Sequence, residues 1–521
     1  MRMDRRAVLA GTAALAAAPR VNASGRAAPV TTTTAGRVRG ADVDGIKVFK
    51  GVRYGADTSA RRFQPAQPAQ PWKGVVDALA YGPASPQLKA DEPTSEDCLF
   101  LNVWTPGLAD GRARPVMVYV HGGAHANGSG SSPLYDGTWL ARTHDVVVVT
   151  VNHRLNCFGY AYLARLGGQN LADSGNVGNL DLILALQWVR DNIAAFGGDP
   201  GNVMTFGQSG GGAKLVTLMA MPQAAGLYHK VATMSGQHVT AMGPIHATLR
   251  ARAFMEKLGL KPDQTEALKT LPAGQLVEAL KMRDPLERKG GIIFWSVLDH
   301  RVLKRHPFYP DAPRGSGHIP MIIGNTHDET KAFLGGDPRN FALTWEELPS
   351  RMENELVLDL APEHIIARYR ELYPDYSPSD VFFAATTAGR SWPGHLIQAE
   401  RRAQIGAPAW MYQLDFGAQT DPRMGAYHSY DIALVFGTLA AKGSMTGTGP
   451  AAQRVRDQMS AAFVSFARTG DPNCAAIPSW EKYTLPQRPT LVINETSTMV
   501  DDPRREEREL FSVAPFLKEG T

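Results

Sequence analysis

The stretch Val203-Met204-Thr205-Phe206-Gly207-Gln208-Ser209-Gly210-Gly211 decides how this chain is read. A short apolar, β-branched run leads into G-x-S-x-G, and a helix-compatible segment, Ala213 to Met221, follows. That order predicts a strand, a sharp turn and a helix, with the serine at the turn. Glycines flank the serine because so tight a turn leaves no room for side chains. The turn lifts the serine hydroxyl clear of the backbone. A glycine-rich helix start could carry the same letters by chance, so the rest of the chain has to supply the partners a nucleophilic serine needs.

Apolar runs recur on both sides of this segment. They are Val116 to Val120, Val146 to Val151, Lys230 to Met234, Met321 to Ile323, Trp410 to Leu414 and Leu491 to Ile493. Runs this continuous suit strands buried on both faces of a sheet. Longer segments of helical spacing separate them, such as Leu180 to Phe196. The alternation predicts an α/β fold with an open, mostly parallel sheet flanked by helices. At 521 residues and 44% hydrophobic content the chain can bury a large core as one unit. The expected organisation is a single catalytic domain over 24–521. Charge-richer helical excursions at about 242–317 and 329–407 are expected to wall a substrate gorge.

Residues 1–23 read as an export signal. A basic start with Arg5-Arg6 precedes a small apolar run, Ala7 to Ala18, and small-residue cleavage sites at Ala18 or Ala23. The run is too short to span a bilayer as a helix. The arginine pair before an alanine-rich stretch resembles a Tat signal, with an ordinary Sec signal as the alternative. An exported, periplasmic or secreted bacterial protein with no stable membrane anchor is the expectation. The net charge of +4 is small, and Arg2, Arg5, Arg6 and Arg20 against Asp4 account for most of it. No basic patch stands out, which argues against nucleic-acid binding. The three cysteines, Cys98, Cys157 and Cys474, show no metal-ligand spacing, and no metal or cofactor is expected.

A serine hydroxyl needs a base, a group to orient that base, and donors for the oxyanion. His121-Gly122-Gly123-Ala124 follows the run Val116 to Val120, and its backbone N–H groups can turn toward a carbonyl oxygen. Gly123, Ala124 and Gly210 are the candidate donors. Asp328 and Glu329 both stand just beyond the run Met321 to Ile323, where catalytic groups of α/β sheets gather. In the order serine, acid, histidine, only His364, His395 and His428 remain. His428 lies in a loop-like stretch, Gly425 to Ser429, and is the favoured base. Ser479-Trp480-Glu481-Lys482 fits S-x-x-K but lacks the partner motifs of that chemistry.

With these residues in view the chain resembles the type B carboxylesterases of the α/β-hydrolase fold, which include bacterial p-nitrobenzyl esterases and the cholinesterases. Phe49 to Tyr54, Glu96-Asp97-Cys98-Leu99, Asn152-His153-Arg154 and Gly470-Asp471-Pro472 carry the resemblance beyond the serine motif. It implies carboxylic ester hydrolysis through an acyl-enzyme, with Ser209 as nucleophile, Glu329 as acid and His428 as base. It implies oxyanion donors at Gly123, Ala124 and Gly210, and Ser235 as a supporting serine near the catalytic histidine. The partner it implies is a small-molecule ester substrate.

Departures narrow the reading. The family usually has glutamate before the nucleophile, where this chain has Gln208, and the change argues against cationic choline esters. Gly210 replaces a common alanine, which implies a less rigid donor. His125 follows the oxyanion loop where an aromatic is common; it either touches substrate or caps the loop, and the structural role is preferred. Cys98 faces a segment offering Ser85 where relatives have a cysteine, so it is expected unpaired. Gly122-Gly123-Ala124 resembles the variant linked to bulky, including tertiary, alcohols. An amidase or carbamate hydrolase with the same residues is the nearest alternative, and a non-catalytic binding member of the fold the more distant one.

Overall fold

Seven of the apolar runs become seven neighbouring parallel strands. In the computed structural model, which describes residues 28–287 and 290–516, they stand side by side in one sheet of eleven strands. Their order across the sheet is Pro489–Ile493, Ala409–Leu414, Met321–Thr326, Lys230–Met234, Gly198–Gln208, Arg114–Val120 and Val147–Val151. Antiparallel strands complete the two edges. Thr498–Asp501 lies on one side, and Phe100–Thr105, Ile46–Arg53 and Ala41–Val43 on the other. The export-signal segment, 1–23, lies outside the described residues.

Side-chain alternation splits the core in two, because successive strand residues point to opposite faces. Val116, Val118, Val120 and Val203 face one apolar cluster, which Leu182, Leu186, Leu215 and Trp392 complete. Met117, Tyr119, Met204 and Phe206 face the other, against Leu434, Val455 and Phe463. Helices Val177–Asn192 and Gly210–Met219 thus cover one side, and helix Pro450–Thr469 covers the other. The chain has the α/β-hydrolase fold.

Two groups of helices rise from this layer. Pro244–Lys257, Thr265–Thr270 and Ala273–Ala279 pack around Phe254, Leu268 and Leu276. Pro362–Leu372 and Pro378–Arg390 pack around Ile365, Tyr369 and Phe382. Helix Trp392–Gln404, expected within the second excursion, instead lies on the sheet: Trp392, Leu396 and Ala399 join its core. Its apolar positions recur at helical spacing and face strands Met321–Thr326 and Ala409–Leu414.

Candidate active site

Ser209 sits between strand Gly198–Gln208 and helix Gly210–Met219 with φ 56° and ψ −126°. A non-glycine residue is strained there, at a cost of about 1–3 kcal/mol, and the surroundings hold it. Its N–H donates to the Met234 carbonyl at 2.7 Å. A Cβ on Gly211 would meet the Val120 carbonyl oxygen at 1.9 Å, so close approach requires that glycine. At Gly210 the same test meets the Ala124 carbonyl oxygen at 2.1 Å. The missing side chain at Gly210 lets the Ala124 loop pack directly onto the helix start.

That loop turns tightly, with φ +83° at Gly123 and +54° at Ala124. The Gly123 carbonyl accepts from Ala126 and Asn127 at 3.1 and 3.0 Å. Among the described residues no protein acceptor takes the N–H of Gly123, Ala124 or Gly210. Three free donors beside one hydroxyl, at the positive end of a helix, form a receptor for a developing anion.

Glu329 and His428 meet beyond the C-terminal ends of two strands. His428 Nδ1 is hydrogen-bonded to Glu329 Oε2. Glu329 Oε1 accepts from Ser235 Oγ at 2.5 Å and from the Thr326 N–H at 2.9 Å. Burial pushes the Glu329 carboxyl up, but His428 and the Ser235 hydrogen bond outweigh it and hold the group at about 2. The carboxylate is thus ionised, and Nδ1 carries the proton. Nε2 is left as an acceptor. Ser235 therefore braces the carboxylate rather than the histidine, from a residue at φ +54°.

Asp328, the rival acid, has a different task. Its backbone N–H donates to the Ala426 carbonyl at 2.8 Å, and its Oδ2 accepts the Ala426 N–H at 3.0 Å. It pins the loop that presents His428. Neither of the other candidate histidines is hydrogen-bonded to Glu329. His364 is exposed on helix Pro362–Leu372. His395 is fully buried, burial lowers it to about 4, and neither ring nitrogen finds a partner among the described residues.

Gln208 Nε2 lies 3.1 Å from His428 Nε2. With Nδ1 protonated, the amide N–H donates to the Nε2 lone pair.

A cavity of about 600 Å³ opens on these groups. Gly123, Ala124, Gln208, Ser209, Gly210, Ser235 and His428 line its floor, and Arg250, Trp295, Phe333 and Arg390 stand on its walls. Arg250 is paired with Asp284 at 2.6 Å, whereas the Arg390 guanidinium stacks over Phe333 at 4.3 Å. His125 is absent from the lining and fully buried. Its Nε2 lies 3.0 Å from Ser296 Oγ, and the ring packs against Tyr160 and Trp295. The loop-capping role fits. Cys98 is free, buried and beside Ser85.

Sequence reasoning passed over two buried groups here. Asp431 accepts from Tyr412 Oη at 2.8 Å, and burial raises it to about 7. Lys214, fully buried, reaches the Ala124 carbonyl at 2.8 Å. A lone cation on an otherwise small and apolar helix was the available signal.

The carboxylesterase family pattern matches residues 27–511. The chain belongs to the carboxylesterase family. It is 34% identical to the para-nitrobenzyl esterase of Bacillus subtilis, over 92% of this chain and 98% of that protein. It is 31% identical to the phenmedipham hydrolase of Pseudarthrobacter oxydans, over 91% and 96%. The crystal structure of a Geobacillus stearothermophilus carboxylesterase superposes with a TM-score of 0.82 at 36% identity, covering 92% of this chain and 99% of that one. This carboxylesterase is a carboxylic ester hydrolase, acting on small-molecule esters. No helix among its described residues is long and apolar enough to cross a membrane.

Proposed function

We propose that this carboxylesterase cleaves neutral, non-choline esters through an acyl-enzyme on Ser209. His428 Nε2, released from the Gln208 amide, takes the serine proton as Oγ attacks the ester carbonyl. Glu329 holds the imidazole in the required tautomer and stabilises its charged form. The N–H groups of Gly123, Ala124 and Gly210 receive the oxyanion, and His428 returns the proton to the departing alkoxide. Water, activated by the same histidine, then frees the acid. The observation that carries the reading is the buried Glu329–His428 hydrogen bond opening onto the cavity that Ser209 lines. Export through the amino-terminal leader belongs to the same proposal.

Two features favour neutral substrates. Gln208 places an uncharged amide where a carboxylate would attract a cation. On the wall, Arg250 and Arg390 stand against Asp284 and Glu287, so the lining offers a cation no net attraction. A panel of p-nitrophenyl esters of graded acyl length, with choline, amide and carbamate analogues, tests this. Neutral esters should turn over fastest; faster hydrolysis of choline esters or amides would overturn it.

The Gly122-Gly123-Ala124 loop and the cavity volume support a bulky alcohol side. Acetates of tertiary alcohols are expected to turn over within about 100-fold of the primary ester, a span set by a few kcal/mol of packing. Good turnover of primary esters with none across the tertiary series would refute the roomy pocket.

A further inference from the structure

Lys214 is the fifth residue after Ser209, on a helix whose ten residues are all buried. An ammonium so placed is costly unless an acid pairs with it. No acid acts on Lys214: burial alone moves its pKa, down to about 7. The titratable groups facing it are His121 and His125, from the loop after strand Arg114–Val120, and His153, from the loop after strand Val147–Val151. Burial first, and then the lysine, keep all three rings neutral, with His121 down at about 3. The His121 and His153 rings pack with centroids 4.7 Å apart, tilted by 30°, and His121 Nδ1 lies 2.9 Å from the Gly122 carbonyl. The charge on Lys214 is therefore uncompensated.

Its hydrogen bond explains the position. Nζ donates to the carbonyl of Ala124 at 2.8 Å. The same carbonyl oxygen occupies the space a Gly210 side chain would fill. Ala124 is thus clamped in the left-handed region between the helix start and the lysine, with its own N–H free. A neutral side chain could fill the volume, but it could not both fix that carbonyl and supply a positive field to the loop.

We infer that Lys214 is a positioning residue for oxyanion formation: its ammonium fixes the Ala124 carbonyl so that the Ala124 N–H faces the reacting carbonyl, and its unpaired charge stabilises the anion formed there. The inference rests on Ser209 as the nucleophile. In a low-dielectric interior such a charge acts on the transition state more than on the neutral ester. Its contribution then falls on kcat.

Lys214→Met tests this. Methionine is close in length and apolar, and removing an unpaired buried charge should leave thermal stability unchanged or raised. The expected result is a kcat lowered about 10- to 100-fold, somewhat less than loss of a direct donor, with KM within about threefold. Inhibition by a trifluoromethyl ketone, which forms a tetrahedral oxyanion on the serine, should weaken by the same factor. The native protein supplies an independent readout. As pH rises the ammonium loses its proton, so kcat should decline on the alkaline side. Lys214→Met should lack that limb and keep any contribution from Asp431, which lies beside His428 and not beside the lysine. Unchanged kcat, inhibition and pH profile in folded Lys214→Met would overturn the inference. So would a loss of stability with kcat per folded molecule intact, which would make Lys214 a structural residue. Failure of the Ser209 reading is distinguishable, because Ser209→Ala would then stay active whatever Lys214 does.

Discussion

Ser209→Ala is expected to lower kcat/KM for every ester substrate by about 10⁵- to 10⁶-fold, with KM little changed. The oxygen that forms the acyl bond is lost, and the free donors and cavity alone retain only about 10³- to 10⁴-fold over water. The fold should tolerate the change. Alanine adopts the same left-handed backbone no less readily, and the Ser209 N–H still meets the Met234 carbonyl. Thermal unfolding close to the parent, measured beside steady-state kinetics, separates lost chemistry from lost structure. Activity within tenfold of the parent would place the nucleophile elsewhere.

Glu329→Gln should cost about 10⁴-fold in kcat while preserving shape. The surroundings allow an amide no satisfactory orientation. If its oxygen accepts the Nδ1–H of His428, its NH₂ faces Ser235 Oγ and the Thr326 N–H, which is itself a donor at 2.9 Å. If the amide turns over, its NH₂ meets Nδ1 and drives the proton to Nε2, the atom that must receive one from Ser209. Either way a buried donor is unpaired or the tautomer is wrong. The variant therefore loses kcat with KM held. A loss below about tenfold would show that Glu329 does not set the state of the imidazole.

Much of this architecture was readable because its driving force is local. Five of the seven parallel strands are buried at every residue, so their sequences are nearly unbroken apolar runs. The antiparallel edge was harder. Strand Ile46–Arg53 mixes exposure, and Phe100–Thr105 carries Asn102, whose side chain bonds Thr150 and the Gly51 N–H. Helix Trp392–Gln404 was assigned to the excursion because its arginines obscure an apolar stripe that only the sheet completes.

The site divides in the same way. Ser209 and the Gly-Gly-Ala loop are legible because backbone geometry dictates glycine at fixed spacing. His428 is favoured over His395 by its loop-like setting, but choosing Glu329 over Asp328 required either a family likeness or coordinates. Both acids stand at the strand end, and only the turn decides which side chain points at the imidazole. Lys214 and Asp431 were harder to weigh for another reason. Their significance lies in what does not surround them, and absence of a countercharge has no sequence pattern.

The central claim is that one serine, raised on a strained turn, is the nucleophile of this carboxylesterase. Labelling the folded protein with a fluorophosphonate and mapping the modified peptide tests it most directly. The expected result is one phosphonyl group per chain, on Ser209, with activity lost in proportion and no label in Glu329→Gln on the same timescale. An active, folded protein that resists labelling, or carries the group on another residue, would contradict it.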